Sequence, residues 1–190
     1  MASGNLIIVF GGSGSGKSTV LAALKSGLGE RFVEGRKLST RLRRQNDPID
    51  MRVGQPKEAF QVCDIQYERY GHLYGITSTE IKEQLDAGKC FGLVIQDVHA
   101  LRTTKRLFPN CYVWYVVRPL SEDRFRDISA QRQTPSDEVN HRLRARRSVH
   151  SEYVESLDLF DGVILNLGSE AQLVKLAIHQ LNTSLGANGA

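Results

Sequence analysis

A chain of 190 residues with 41% hydrophobic and 24% charged residues has the size and balance of one ordered unit with its own core, which excludes a disordered or fibrous protein. The longest apolar run, Leu6-Ile7-Ile8-Val9-Phe10, is far short of a bilayer span, and Met1-Ala2-Ser3-Gly4-Asn5 shows no basic region leading into a long apolar stretch, so neither a membrane partner nor a signal peptide is expected. The formal charge of +4 is a mild cationic excess that suits anionic small molecules without singling out nucleic acid.

In chain order, Leu6 to Phe10 predicts a buried strand, followed by a glycine-rich turn and a helix from about Lys17 to Leu28. Arg36, Lys37, Arg41, Arg43 and Arg44 then form a first basic cluster. The segment from Gln45 to Tyr74 mixes Pro48, Gly54, Pro56 and Gly71 with short strand-like pieces such as Ala59-Phe60-Gln61-Val62. It reads as a small irregular or antiparallel insertion over the carboxyl edge of a sheet, where ligands bind in such folds. Thr77-Ser78-Thr79-Glu80 is a capping box for a helix that stops near Gly88. Phe91 to Val98 and Tyr112 to Val117 are further strands. Ser121-Glu122-Asp123 opens one helix and Thr134-Pro135-Ser136-Asp137 the next, which carries a second basic cluster of Arg142, Arg144, Arg146 and Arg147. A strand over Gly162 to Asn166 and a helix opened by Ser169-Glu170-Ala171-Gln172 end the chain. Strands alternating with helices predict an α/β fold, a mostly parallel sheet with helices on both faces.

Three isolated cysteines, Cys63, Cys90 and Cys111, read as reduced, buried thiols of a cytoplasmic protein. The histidines at 72, 99, 141, 150 and 179 are scattered without metal-ligand spacing.

The residues richest in chemistry are Gly11-Gly12-Ser13-Gly14-Ser15-Gly16-Lys17-Ser18, a full match to G-x-x-x-x-G-K-S/T between a strand and a helix. Triphosphate oxygens need several backbone N–H donors aimed at one point, and glycines remove the side chains that would block the approach. The helix beginning near Lys17 adds the positive end of its dipole. Lys17 is placed to neutralise the β and γ phosphates and Ser18 to ligate Mg²⁺, while Thr19 contacts the phosphate next along. ATP and Mg²⁺ are therefore the expected ligands of a P-loop NTPase fold.

Phosphoryl transfer is mainly positioning and charge neutralisation, so it needs cations around the moving group and a second site for the acceptor. Arg132, before the Gln133-Thr134-Pro135 break, and Arg142 on the following helix belong to a helix–turn–helix that reads as a lid. Asp97, at the end of an apolar strand, reads either as the acid holding Mg²⁺ through water or as a cap on a helix or turn. Arg41 and Arg44 offer forked donors to an acceptor phosphate, and Tyr74 either adds a hydroxyl or is a buried aromatic. An acceptor that is already a phosphate anion needs no general base.

The ordered set resembles the guanylate kinase family over nearly the whole chain. The phosphate loop is followed by Thr40-Arg41-Leu42-Arg43-Arg44, similar to T-R-x-x-R, and by Leu73-Tyr74-Gly75, similar to Y-Y-G. A helix ending in Ala87-Gly88, a strand ending at Asp97, Tyr112 to Pro119, the lid-like Arg132 with Asn140-His141-Arg142-Leu143, and Phe160-Asp161-Gly162-Val163-Ile164-Leu165-Asn166 complete it. The resemblance implies that Arg41, Arg44 and Tyr74 bind the acceptor phosphate and that Arg132 and Arg142 reach the ATP phosphates. It also implies that Asn166 lies by the adenine. It divides the single domain 1–190 into a core (5–36, 77–119 and 158–183), an acceptor lobe at about 37–76 and a lid at about 120–157.

The chain departs from this family where guanine would be read by acids: the matching stretches are Asp64-Ile65-Gln66-Tyr67 and Leu93-Val94-Ile95-Gln96. Asp64, Gln66 or Gln96 would have to substitute, and Gln96 is the candidate placed in the acceptor site. The expected reaction is transfer to a nucleoside monophosphate, GMP or a related nucleotide, by a monomer or homodimer. A ribose 1,5-bisphosphate kinase-like enzyme acting on a sugar phosphate, and a non-catalytic binding module, remain the alternatives.

Overall fold

Strand β1 (Leu6–Phe10) is buried along its whole length, and its residues divide by parity between two apolar clusters. Leu6, Ile8 and Phe10 join one cluster, Ile7 and Val9 the other. A strand alternates its side chains between the faces of a sheet, so this division places β1 in the middle of a sheet covered on both sides. The computed structural model describes residues 4–42, 51–131 and 134–186, and in it β1 is the central strand of a five-stranded sheet. The order is β2 (Phe32–Glu34), β7 (Cys90–Val94), β1, β8 (Tyr112–Val117), β9 (Gly162–Leu165), and every pairing is parallel. This is the expected α/β architecture. β2 is an addition to the strands predicted from the sequence, since its three residues are too few to show a pattern. Its register with β7 defines it.

Helices α1 (Lys17–Leu28) and α6 (Glu170–Gly186) cover one face, packing Val20, Leu21 and Leu24 with Leu173, Ala177 and Leu181. The other face is covered by α2 (Ser78–Asp86), α3 (Val98–Leu107) and the lower half of α5 (Ser136–Val154), through Ile81, Leu101 and Val149. The apolar residues after Val94 do not extend β7. Ile95 turns into the core, and α3 begins at Val98 with Asp97 as its N-cap.

A second sheet of four strands rises from the carboxyl side of the first, in the order β4 (Met51–Arg52), β3 (Lys37–Ser39), β6 (His72–Ile76), β5 (Ile65–Arg69). It is antiparallel except for the β3–β4 pair. Ile65, Tyr67, Tyr74 and Ile76 from its inner face extend the apolar cluster of the first sheet, so the two share one core. Residues 57–62, with the strand-like Ala59-Phe60-Gln61-Val62, form a 3-10 turn instead, which buries Phe60 and leaves Val62 out. Helix α4 (Glu122–Gln131) packs on α5 to form a helical hairpin over the same edge. Among the described residues no helix is long and apolar enough to cross a membrane.

The start of α2 shows how the sheet reaches into its neighbours. Thr77 makes no side-chain cap, and the Ser78 N–H donates instead to Asp64 Oδ2 at 2.8 Å. The Ser78 hydrogen bonds hold the Asp64 carboxyl below its ordinary value of 3.8. Asp64→Ala is therefore expected to lower the unfolding free energy by about 1 kcal/mol at neutral pH, as losing a cap does. A lowered folded-state pKa gives stability that is complete above the ordinary value and lost as pH falls through the folded one. Urea melts of wild type and variant should differ at pH 7 and converge below pH 3.8.

Candidate active site

The phosphate loop leaves β1 at Gly11, whose φ of 148° and close approach to the Val116 carbonyl leave no room for a Cβ. At its other end Gly16 has φ 103° and caps α1, and a Cβ there would fall 2.7 Å from Leu173 and 2.8 Å from the Asn166 amide. Both glycines are thus demanded by backbone conformation and by neighbours from distant parts of the chain. Two side-chain amides hold the loop from outside. Gln96 Nε2 donates to the Gly11 carbonyl at 3.2 Å, and Asn166 Nδ2 donates to the Ser15 carbonyl at 2.9 Å. Inside it, the Lys17 ammonium donates to the Gly12 carbonyl at 2.6 Å, its side chain buried against the loop. Ser18 is exposed on the first turn of α1, and the Ser15 Oγ is buried with no hydrogen-bond partner among the described residues.

These features fit a Mg²⁺–triphosphate. The glycines leave a cradle that side chains would fill, Lys17 supplies a cation folded into it, Ser15 carries an unmet hydroxyl, and Ser18 presents the oxygen a Mg²⁺ ion needs. Asp97 Oδ1 accepts from the Ala100 N–H at 2.8 Å, the geometry of a helix cap. That bond fixes its carboxylate at the carboxyl edge of the sheet.

Helix α5 meets the loop from above. Arg142 Nη1 donates to Ser13 Oγ at 3.0 Å, and its Nε and Nη2 both donate to Glu138 Oε1, at 3.1 and 2.8 Å. A cavity of about 280 Å³ lies between Gly12, Ser13 and Ser15 of the loop, the end of β8, and Leu143 and His150 of α5. Glu138, one helical turn before Arg142, went unnoticed in the sequence, although the i,i+4 spacing of acid and arginine carries the signal.

On the second sheet, Ser39 of β3 stands opposite Tyr74 of β6, and Arg41 follows two residues later with its N–H on Ser39 Oγ. Arg41 is buried, and its Nη1 donates to the Leu42 carbonyl at 3.2 Å. Tyr74 is buried too, its ring stacked on Tyr67 with centroids 5.1 Å apart. Burial, with Tyr74 beside it, pushes the Tyr67 hydroxyl far above its usual range, so this layer stays uncharged on that side. Lys37, in sequence one member of a basic cluster, has a separate place in the structure. It is buried, its ammonium donates to the Val94 carbonyl at 3.0 Å, and it lies 5.8 Å from the Tyr74 ring centroid. A cation is thereby built into the seam between the two sheets.

The structure brings Lys17, Ser18, Asn166, Gln96 and Arg142 to the phosphate loop, and places Tyr74 on β6 with Arg41 two residues past the end of β3. Asn166 is 6% exposed and clamps the back of the loop, and Gln96 faces the loop backbone. Arg44 and Arg132 lie outside the described residues.

Comparison with solved structures adds the fold to this geometry. A guanylate kinase from Anaplasma phagocytophilum matches with a TM-score of 0.66 and 17% identity, over 96% of this chain and 87% of its own. The chain has a guanylate kinase-like P-loop fold. An unliganded sugar kinase from Janibacter sp. HTCC2649 matches with a TM-score of 0.51 and 14% identity, over 94% of this chain and 95% of its own. No family model and no curated protein matches the sequence.

Proposed function

We propose that this protein is a phosphotransferase that moves the γ-phosphoryl group of ATP to a small phosphorylated acceptor, releasing ADP. The observation that carries the reading is the Arg142–Ser13 contact, which sets a cation from a helical hairpin directly on the phosphate loop. A nucleotide switch or a static binding module needs the loop. A cation over the phosphates serves phosphoryl transfer to any acceptor, water included, and the buried Lys37 and Arg41 of the acceptor side favour a phosphorylated acceptor over water.

In this reading the loop backbone and Lys17 bind the β and γ phosphates, and the α4–α5 hairpin closes as a lid that excludes water and places Arg142 against the charge developing in the transition state. Arg41, with Arg44, and the Tyr74 hydroxyl hold the acceptor phosphate. One of its anionic oxygens attacks the γ phosphorus in line, a P–O bond forms, and the bond to the ADP oxygen breaks with its electron pair leaving on ADP. No proton has to be removed from the attacking group. Mg²⁺, held by Ser18 and through water by Asp97, would neutralise the phosphate oxygens when bound.

A nucleoside monophosphate such as GMP is the first acceptor class, on the similarity of fold. A second class, a sugar phosphate without a base, is favoured by a separate observation. The three side chains that could stand in for base-reading acids are already engaged: Asp64 caps α2, Gln66 donates to the carbonyls of Phe60 and Cys63, and Gln96 clamps the loop. Lys37 in the seam also suits an anionic substituent better than the N–H edge of guanine.

The deciding experiment is a coupled ADP-release assay with ATP, Mg²⁺ and a panel of GMP, dGMP, the other nucleoside monophosphates and ribose 1,5-bisphosphate. Turnover with one class identifies the acceptor. Absence of turnover with every acceptor overturns the reading in favour of a non-catalytic module.

A further inference from the structure

At the tip of the β5–β6 hairpin Tyr70 has φ 55° and Gly71 has φ 72°. Two positive values in a two-residue connection belong to a type I′ turn, for which Asn-Gly is the favoured pair. A bulky residue in the left-handed region is disfavoured, and Tyr70 is the one non-glycine residue there among the described residues. The turn itself has no use for the ring, so the reason for it must lie in what the ring touches.

The ring is in reach of two guanidinium groups. Arg142 of α5 and Arg69 of β5 each place their guanidinium carbon 5.7 Å from its centroid. Arg142 is the side chain that reaches Ser13 of the phosphate loop. Arg69 donates to Glu152, ten residues further along α5, at 3.2 Å. Burial works against the Arg69 charge, but Glu152 and, after it, Tyr70 outweigh this and hold its pKa above the usual. The hairpin tip is thus tied to α5 at two levels, and at the upper one the tie passes through the arginine over the phosphates. The seam is incompletely satisfied: Arg69 Nε and Nη2 and Glu152 Oε2 are buried without partners among the described residues.

We infer that Tyr70 is a positioning residue whose ring holds Arg142 over the phosphate loop when the acceptor-side sheet closes against α5. The proposal rests on the phosphotransferase reading and extends it: closure around the acceptor and placement of the transition-state cation become one event. Glu138 orients the guanidinium from its own helix, and Tyr70 does so from the opposite side of the cleft. When the sheet stands apart from α5 this hold on Arg142 is lost, so full stabilisation of the transition state waits for closure, which limits hydrolysis of ATP by water.

The test uses the full chain with Tyr70→Asn, which suits the turn and removes the ring, and Tyr70→Phe, which keeps the ring. Tyr70→Asn is expected to lower kcat about tenfold with smaller changes in KM, as loss of a partly desolvated cation–π contact does, while Tyr70→Phe stays within about twofold of wild type. Adding Tyr70→Asn to Arg142→Ala should cost nothing further, because the ring acts through Arg142. Hydrogen exchange of residues 136–154 without nucleotide should rise in Tyr70→Asn and not in Tyr70→Phe. An unchanged kcat in Tyr70→Asn, equal losses in the two variants, or losses that multiply in the double variant would overturn the proposal. If wild type transfers to no acceptor, the functional reading fails by itself and hydrogen exchange decides. Unchanged exchange in Tyr70→Asn then removes the latch, and raised exchange supports it.

Discussion

Lys17→Ala is expected to lower ADP release at least about 10²-fold, the loss seen when one preorganised charge-stabilising donor leaves an active site, with the thermal unfolding midpoint nearly unchanged. The ammonium is buried inside the loop on the Gly12 carbonyl, so alanine removes the cation that the loop backbone itself folds into the phosphate cradle. The fold does not depend on it. Gly11 and Ser15 are held by Gln96 and Asn166 from outside, and alanine is the best helix former for the first turn of α1. A circular-dichroism melt alongside the ADP-release assay separates the two effects. Wild-type turnover in Lys17→Ala would sink the mechanism.

Arg142→Ala is expected to reduce kcat by about 10²- to 10³-fold, the range for removing a transition-state cation. Alanine keeps the helix, and loss of the mostly buried pair with Glu138 shows separately as a lowered unfolding midpoint. Arg142→Lys should recover little activity. A single ammonium cannot donate two bonds to Glu138 and a third to Ser13 in the planar fork that arginine uses here. Steady-state kcat and KM for ATP, measured for all three proteins, check both statements. Wild-type kcat in Arg142→Ala would leave the lid without a catalytic part.

The fold was legible wherever a signal was local. β1, the phosphate loop and α1 follow one another without interruption from Leu6 to Leu28, and each is specified by its own pattern: an apolar run, glycines at required conformations, and a helical stripe. β8 matches its predicted bounds because six consecutive apolar residues leave no other reading. Legibility failed where a short element takes its state from a partner. β2 is a strand because it pairs with β7, and residues 57–62 turn because Phe60 packs under Gly75. Thr77 has the hydroxyl of a capping box but makes no cap bond, and the first N–H of α2, on Ser78, goes to Asp64, 14 residues before it.

The candidate site divides in the same way. The sequence by itself marked the loop, since its glycines and Lys17 lie in one consecutive run, while Gln96 and Asn166 hold it from distant segments. It also determined that cations would be needed nearby and supplied them in two clusters. Only the tertiary structure decided which long side chain meets which partner. Arg142 meets Ser13 across 129 residues and Asn166 meets Ser15 across 151, while Lys37 crosses 57 residues to the end of β7. A long charged or amide side chain reads alike in any exposed stretch of sequence. It acquires a partner only when packing of the apolar faces brings two distant segments within hydrogen-bond reach.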